Sequence, residues 1–215
     1  MRKIWLISTA ILGSLCVGPA GIAPALGAPP PGQLVAQSTA PQISPDDRIL
    51  GKADASITIF EYASLTCPHC AAFEKEILPQ IKTDWIDTGK AKLIFRDFPL
   101  DGAALKAAIV ARCAPPERFY GFIDVLFSQQ ASWGIGGDPV PSLGRLAKLG
   151  GMGEEQFRAC LKDDALQNKI VAGRLAAEKE FGVESTPTFF INGEKVVGAR
   201  PEEIFEALKS AAPKA

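Results

Sequence analysis

Residues 60–70 read Phe60-Glu61-Tyr62-Ala63-Ser64-Leu65-Thr66-Cys67-Pro68-His69-Cys70. The beginning of this stretch completes a β-branched and aromatic run over 56–62, which predicts a largely buried strand. Beyond the second cysteine, apolar residues recur at every fourth position and predict one face of a helix; they are Phe73, Ile77, Ile81 and Trp85. Cys67 and Cys70 therefore stand between a buried strand and the start of a helix.

A Cys-x-x-Cys motif in this position is typical of redox chemistry, because the free backbone N–H groups and the dipole of a helix N-terminus stabilise a thiolate. We expect Cys67 to be the exposed, ionised nucleophile and Cys70, one turn further into the helix, to be the shielded resolving thiol. Pro68 and His69 complete the predicted catalytic motif. His69 can donate a hydrogen bond to the Cys67 sulfur or place positive charge beside it, which would lower the thiol pKa and make the pair more oxidising.

A structural disulfide and half of a zinc site are the alternative interpretations of the motif. Zinc requires four ligands, and the local Cys67, His69 and Cys70 could be joined only by the distant Cys113 and Cys160. Those two cysteines are far apart in the sequence and do not form the second closely spaced ligand pair that is typical of a zinc site. We therefore predict no metal site and no cofactor other than the redox-active pair itself.

The order of the remaining patterns predicts an α/β fold. The helix after the motif is expected to continue past Pro79 with a kink and to end at 88–90, before a second strand over 91–96. A strand, a helix and a strand in succession favour a parallel strand pair. Helical patterns then fill residues 101–181, with Trp133 expected at the rim of this block. Two short strands around Asn192-Gly193 predict a hairpin, and a last helix starts at Pro201.

The composition excludes several classes of function. The chain has 23 Lys and Arg against 24 Asp and Glu, a formal net charge of −1, and no basic block. We therefore predict no binding to nucleic acid and no polybasic membrane patch. His69 is the single histidine of the sequence, which excludes any site that needs two imidazoles.

The N-terminal residues have the pattern of an export signal. A short basic start is followed by an apolar run over 4–17 and by small residues near 23–27, so we predict a signal peptide over 1–27. The alternative is a retained anchor that holds the protein on the membrane, facing the periplasm. Residues 28–45 carry no charge and are predicted to form a proline- and glycine-rich linker, so we expect the folded part to start near Asp46.

Two segments of the sequence resemble DsbA-like thiol:disulfide oxidoreductases. Residues 60–70 resemble the active-site strand and helix start of that family. A second segment resembles the family's cis-proline strand; it reads Ser185-Thr186-Pro187-Thr188-Phe189-Phe190-Ile191-Asn192-Gly193. The similarity extends over residues 49–208. It implies a thioredoxin-like fold over 46–100 and 182–212, interrupted by an inserted all-helical domain over 101–181.

The resemblance also implies roles for residues outside the cysteine motif. Pro187 would carry a cis peptide bond facing Cys67 and Cys70, and Thr186 would offer backbone groups to an extended substrate segment. Glu61 would be the family's buried acid near the inner thiol, where a carboxylate can relay the proton of Cys70. An acid at a strand end that reaches solvent is the alternative interpretation of Glu61.

A second pair of cysteines lies in the helical block. Cys113 and Cys160 both follow apolar helix faces, and two such cysteines in an exported protein more often pair than stay free. The family includes members with a second disulfide in the helical domain, so the resemblance favours a structural disulfide between Cys113 and Cys160. Two buried, unpaired thiols are the alternative.

For function, the resemblance implies a periplasmic dithiol oxidase. The oxidised pair would accept electrons from exported proteins with free cysteines, and a DsbB-like membrane partner would reoxidise it; we expect a monomer. A reductase or isomerase of the same fold is one alternative, although such isomerases carry an N-terminal dimerisation domain where this sequence has the linker. A non-catalytic chaperone or metal-binding module is the alternative from another class.

Overall fold

A five-stranded mixed sheet forms the centre of the computed structural model, which describes residues 40–213. The strands are β1 (Ile49–Gly51), β2 (Ile57–Ala63), β3 (Ala91–Asp97), β4 (Thr188–Ile191) and β5 (Glu194–Val197), in the spatial order β1-β3-β2-β4-β5. β2 and β3 are parallel, and the other neighbours pair antiparallel. A helix crosses over between β2 and β3, which is the connection that a parallel pair requires.

Helix α1 makes this crossover and starts at the cysteine motif. It consists of four consecutive segments, in which α-helical turns alternate with wider π-helical turns: Pro68–Ala72 (α), Phe73–Ile77 (π), Leu78–Ile81 (α) and Lys82–Ile86 (π). Pro79 has no N–H to donate, and just before it the Leu78 N–H reaches back five residues to the Phe73 carbonyl. The helix thus continues past Pro79, as predicted, because the wider turn accommodates the missing donor.

Seven further α-helices complete the described part of the chain. They are α2 (Gly102–Cys113), α3 (Phe119–Ser128), α4 (Gln130–Trp133), α5 (Val140–Leu149), α6 (Glu154–Cys160), α7 (Asp164–Phe181) and α8 (Pro201–Ala211). Helices α2 to α7 form the helical block between β3 and β4. Asp101 starts this block, because its side chain accepts a hydrogen bond from the Ala104 N–H and caps α2. Gly182 ends the block in the left-handed conformation, with φ of 61°.

The helices cover both faces of the sheet. On one face, α1 and α8 pack on the strands in a core that includes Phe73 and Phe189. On the other face, α7 covers a smaller cluster around Tyr62. The helical block has a core of its own, and this core reaches the cysteine motif, since it contains both Phe119 and Cys70. The motif therefore lies where the sheet and the helical block meet.

A disulfide joins two helices of the block. Cys113 at the end of α2 and Cys160 at the end of α6 have their sulfur atoms 2.15 Å apart and their Cα atoms 6.1 Å apart. The two residues are separated by 47 positions in the sequence. Cys67 and Cys70, in contrast, are free thiols.

The outer edge of β3 is only partly covered by a strand. β1 reaches as far as Ile94. Beyond that point the Phe95 N–H donates to the Tyr120 hydroxyl at 3.2 Å, and Arg112 donates to the Phe95 carbonyl at 2.9 Å. The Tyr120 hydroxyl itself donates to the Arg48 carbonyl at 2.6 Å. Side chains of the helical block thus take the place of a neighbouring strand.

The predicted α/β class, the parallel pair, the hairpin and the helical character of 101–181 agree with this architecture. The sequence does not predict β1, because three residues are too few to show a period. Trp133 is 2% exposed and not at the rim as predicted, because its indole N–H donates to the Leu126 carbonyl inside the helical block.

The ordered packing begins before Asp46. Pro41 is buried and the Gln42 carbonyl accepts a hydrogen bond from Arg96, so the end of the predicted linker belongs to the fold. The predicted signal peptide (1–27) and the linker residues 28–39 lie outside the described residues. Since residues 40–213 belong to one compact unit, the division into a thioredoxin-like part and a helical domain stays a prediction. None of the helices in the described range is both long and apolar enough to span a membrane.

Candidate active site

The cysteine pair lies where α1 begins, after the carboxyl end of β2. Cys67 is the N-cap residue of α1, in an extended backbone conformation (φ −78°, ψ 120°), and Pro68 is the first helical residue. The Cys67 N–H donates to the Ser64 carbonyl at 3.0 Å, and the Cys67 carbonyl accepts from the Ala71 N–H at 3.2 Å. This turn places the Cys67 sulfur beside the unpaired N–H groups of the first helical turn.

The Cys67 thiol is strongly acidic, with a pKa lowered from 9.0 to about 5. The largest cause is a hydrogen bond from the Cys70 thiol. The Thr186 side chain and the backbone N–H groups of Cys70 and His69 also lower the pKa, whereas burial opposes them. Cys67 is therefore a thiolate at neutral pH.

Cys70 has the opposite character. It is 0% exposed, whereas Cys67 is 6% exposed. Burial raises the pKa of the Cys70 thiol far above its ordinary value, and the Cys67 sulfur and the Glu61 carboxylate raise it further. Cys70 is thus a protonated, shielded thiol. The exposed fraction of Cys67 is smaller than the sequence predicts, because the helical block and the Thr186 segment pack around it.

The segment before β4 faces Cys67. The Cys67 thiol donates to the Thr186 carbonyl at 3.4 Å, and the peptide bond between Thr186 and Pro187 is cis. β4 runs antiparallel beside β2, so the beginning of β4 and the beginning of α1 meet at the same end of the sheet. The Thr186 hydroxyl is buried without a hydrogen-bond partner among residues 40–213 in this thiol form, which leaves it available to a thiolate at Cys67.

Glu61 lies within the central strand β2 and is 0% exposed. It stands opposite Phe95 of β3 and Phe189 of β4, and neither of its carboxylate oxygens has a hydrogen-bond partner in the described part of the chain. Burial raises the pKa of Glu61 well above its usual range, and the charges of Glu74 and Cys67 raise it further. The structure therefore excludes the alternative in which this acid reaches solvent.

His69 has an exposed side chain at the second position of α1. Its contribution to the acidity of Cys67 comes through its backbone N–H, which lowers the pKa of the thiol. The predicted effect of the imidazole on the Cys67 pKa is separate from that of the backbone, and a substitution that removes only the imidazole can measure it.

Three side chains that the sequence analysis does not single out hold the loop before α1. The Thr66 hydroxyl donates at 2.7 Å to Asp101, the capping residue of α2. Gln130, from α4, donates to the carbonyls of Leu65 at 2.8 Å and of Cys67 at 3.1 Å. Asp101 precedes an apolar helical run, which is a recognisable N-cap signal. Gln130 gives no such signal, because its partners lie 65 and 63 positions away in the sequence.

The fold and the site together define a class of protein. A parallel strand pair, a helix that begins at a Cys-x-x-Cys motif and an antiparallel hairpin beside that motif form a thioredoxin fold with a dithiol site. Within residues 40–213, no group of three or more His, Cys, Asp or Glu side chains is arranged to hold a metal ion.

Comparison with known proteins identifies the family. A family model described as Thioredoxin matches residues 44–210, and the chain belongs to this family. The crystal structure of Wolbachia pipientis alpha-DsbA1 is 33% identical in sequence, with a TM-score of 0.72 over 79% of this chain and 92% of that chain. BdbD from Bacillus subtilis, in its oxidised form, is 26% identical, with a TM-score of 0.70 over 77% of this chain and 92% of that chain. The expected resemblance to DsbA-like proteins is confirmed.

The curated relatives include a Rickettsia bellii protein named as a protein-disulfide oxidoreductase. It is 35% identical over 153 residues, which cover 71% of this chain and 59% of that protein. The chain thus spans less than two thirds of the length of this relative.

Proposed function

We propose that the protein is an exported thiol:disulfide oxidase, which acts as a monomer and introduces disulfides into proteins with free cysteines in the periplasm. The observation that carries this proposal is the asymmetry of the cysteine pair: Cys67 has a pKa of about 5, whereas Cys70 is fully buried and protonated. A stabilised thiolate lowers the free energy of the reduced pair, so the disulfide form is a strong oxidant. The export signal expected over 1–27 and the DsbA-like neighbours support the periplasmic location.

The reaction starts from the disulfide between Cys67 and Cys70. A client thiolate attacks the Cys67 sulfur, the bond between the two cysteines breaks, and Cys70 leaves with the electron pair and takes up a proton. A second client thiolate then attacks the client sulfur of the mixed disulfide, and Cys67 leaves as a thiolate. The client has lost two electrons and gained a disulfide, and the cysteine pair holds those electrons until a disulfide of a DsbB-like membrane partner accepts them.

The Thr186 segment is suited to hold the client during this exchange. In the protonated form of Cys67 the Thr186 carbonyl accepts a hydrogen bond from the thiol. As a thiolate or in a mixed disulfide, Cys67 has no proton to donate, so the carbonyl is free to accept from a backbone N–H of an extended client segment. Thr186 and Pro187 are therefore the proposed substrate-binding residues.

The relative stability of the two redox forms tests the proposed function. The folded pKa of Cys67 is depressed, so its thiolate contributes stability that is fully present above the pKa of an unfolded thiol and is lost as the pH falls through about 5. Two pKa units, from pH 5 to pH 7, correspond to about 2.7 kcal/mol. We expect the advantage of the reduced over the oxidised protein to grow between pH 5 and pH 8, as measured by calorimetry of both forms. The protein would instead be a reductase if its reduced form gained no stability over the oxidised form in this pH range and the reduction potential of the cysteine pair lay well below that of glutathione.

Glu61 is the proposed acceptor of the Cys70 proton, and Glu61→Gln tests it in two ways. Since the folded pKa of Glu61 is raised, the wild-type carboxyl costs stability as the pH rises above about 4.3, the value of an unfolded glutamate. The variant should therefore be more stable than the wild type at pH 8, with a smaller difference at pH 4. Loss of the base should slow reoxidation of the pair by about 100-fold, measured by stopped-flow fluorescence.

The exposed Glu76 provides the control for this experiment. Glu76→Gln should change neither the pH dependence of stability nor the rate. Equal reoxidation rates for wild type and Glu61→Gln would remove Glu61 from the mechanism.

His69→Pro and His69→Ala separate the two contributions of this residue. Proline removes both the backbone N–H and the imidazole, whereas alanine removes the imidazole alone. We expect His69→Pro to raise the pKa of Cys67 by about 1, since a lost hydrogen bond to a charged group costs about 1.5 kcal/mol, and to make the protein less oxidising. Thiolate absorbance at 240 nm gives the titration; two variants that both titrate like the wild type would contradict any role of His69.

A further inference from the structure

We propose that Gln130 is a positioning residue for Cys67, and that its side-chain amide sets the geometry of the turn that carries the nucleophile. This inference rests on the proposed function, in which Cys67 receives the client. It connects the helical block to the chemistry through a direct contact, whereas the core packing of the block only surrounds the cysteines.

The contact consists of two hydrogen bonds from one nitrogen atom. Nε2 of Gln130 donates to the Leu65 carbonyl at 2.8 Å and to the Cys67 carbonyl at 3.1 Å. Leu65 is 2% exposed, so its carbonyl needs a partner from within the protein. One amide group therefore fixes two peptide groups of the loop, one before Thr66 and one directly after Cys67.

The peptide group between Cys67 and Pro68 has the greater effect on the position of the Cys67 sulfur. The Cys67 carbonyl belongs to the peptide group that leads into Pro68, and it also accepts the Ala71 N–H that closes the first turn of α1. The backbone N–H groups of His69 and Cys70, in the same turn, lower the pKa of Cys67. A rotation of this peptide group would change the position of the sulfur relative to both N–H groups.

The remaining contacts of the loop limit what the loss of Gln130 can do. Thr66 stays bonded to Asp101, and the Cys67 N–H stays bonded to the Ser64 carbonyl. These bonds hold the other side of the loop, so removal of the Gln130 amide should loosen the turn without displacing α1. We therefore expect the acidity of Cys67 to change while the fold is kept.

Gln130→Met tests the proposal, because methionine has a similar length and no N–H to donate. The adjacent Gln129 is exposed and makes no side-chain hydrogen bond among the described residues, so Gln129→Met is the matched control. Absorbance at 240 nm gives the pKa of Cys67, and equilibration with glutathione gives the redox equilibrium constant. For Gln130→Met we expect a higher Cys67 pKa and an equilibrium constant about 3- to 10-fold less oxidising, and for Gln129→Met the wild-type values.

The outcomes distinguish a positioning role from a structural one. If Gln130→Met lowers the thermal stability but leaves the Cys67 pKa and the redox equilibrium at wild-type values, the proposal is overturned. Should Gln130→Met fail to fold, the same two measurements on Gln130→Ala decide in the same way. A wild-type Cys67 that titrates near 9, in contrast, would show that the proposed function itself has failed, whatever the Gln130 variants do.

Discussion

Cys70→Ser protein is expected to accumulate covalent complexes with its clients, whereas Cys67→Ser protein should trap almost none. The reason is the asymmetry of the pair. In Cys70→Ser the acidic Cys67 thiolate still attacks a disulfide of an oxidised client or partner, but no internal thiol remains to displace the bound chain. In Cys67→Ser the remaining sulfur is 0% exposed and has a raised pKa, so it neither reaches a client nor ionises.

Both single variants should lose oxidation of a two-cysteine peptide completely, because the reaction needs a disulfide between the two residues. Non-reducing gels of the exporting compartment, after alkylation of free thiols, show the complexes, and dithiothreitol should release them. If Cys67→Ser were the trapping variant, or if either variant kept full turnover, Cys67 would not be the nucleophile.

Replacement of the second disulfide is expected to have the largest effect on stability. The bond between Cys113 and Cys160 links residues 47 positions apart, and a closed loop of this length restricts the unfolded chain by about 4 kcal/mol in the chain-entropy description. The double variant Cys113→Ala/Cys160→Ala should lose most of that free energy of unfolding in a urea titration. Alanine is the suitable replacement, because Cys160 is 8% exposed and a serine hydroxyl there would require a partner.

The comparison should be made with Cys67 and Cys70 reduced in both proteins, so that only the second disulfide differs. Peptide mapping of the non-reduced wild type establishes the pairing. A double variant whose free energy of unfolding stays within about 0.5 kcal/mol of the wild type would show that the disulfide does not stabilise the fold.

The sequence predicts the elements that depend on local residue patterns, but not those that depend on contacts between distant residues. β2 and α1 are readable from the residues, because their apolar patterns are continuous and the cysteine motif marks the boundary between them. β1 is not, since three residues become a strand only through pairing with β3. Trp133 shows the same limit, because its burial depends on the fold of the helical block around it.

The candidate site divides in the same way. The two motifs identify Cys67, Cys70 and Pro187, but the environment of Glu61 is ambiguous in the sequence. Its position near the end of an apolar run is compatible with either a solvent-exposed or a buried side chain. The side chain is buried because β4 places Phe189 opposite it, and Phe189 lies 128 positions further along the chain. The contact of Gln130 with Cys67 is likewise a product of the tertiary fold.

The partly covered edge of β3 has a consequence for solubility. An open strand edge is a template on which other extended chains can add, which is a common route to aggregation. Here the hydroxyl of Tyr120 and the guanidinium of Arg112 occupy the N–H and the carbonyl of Phe95, so this stretch cannot nucleate sheet growth. Both side chains come from the helical block. For a protein proposed to work on extended client segments, the helical block thus prevents those segments from pairing with this part of β3.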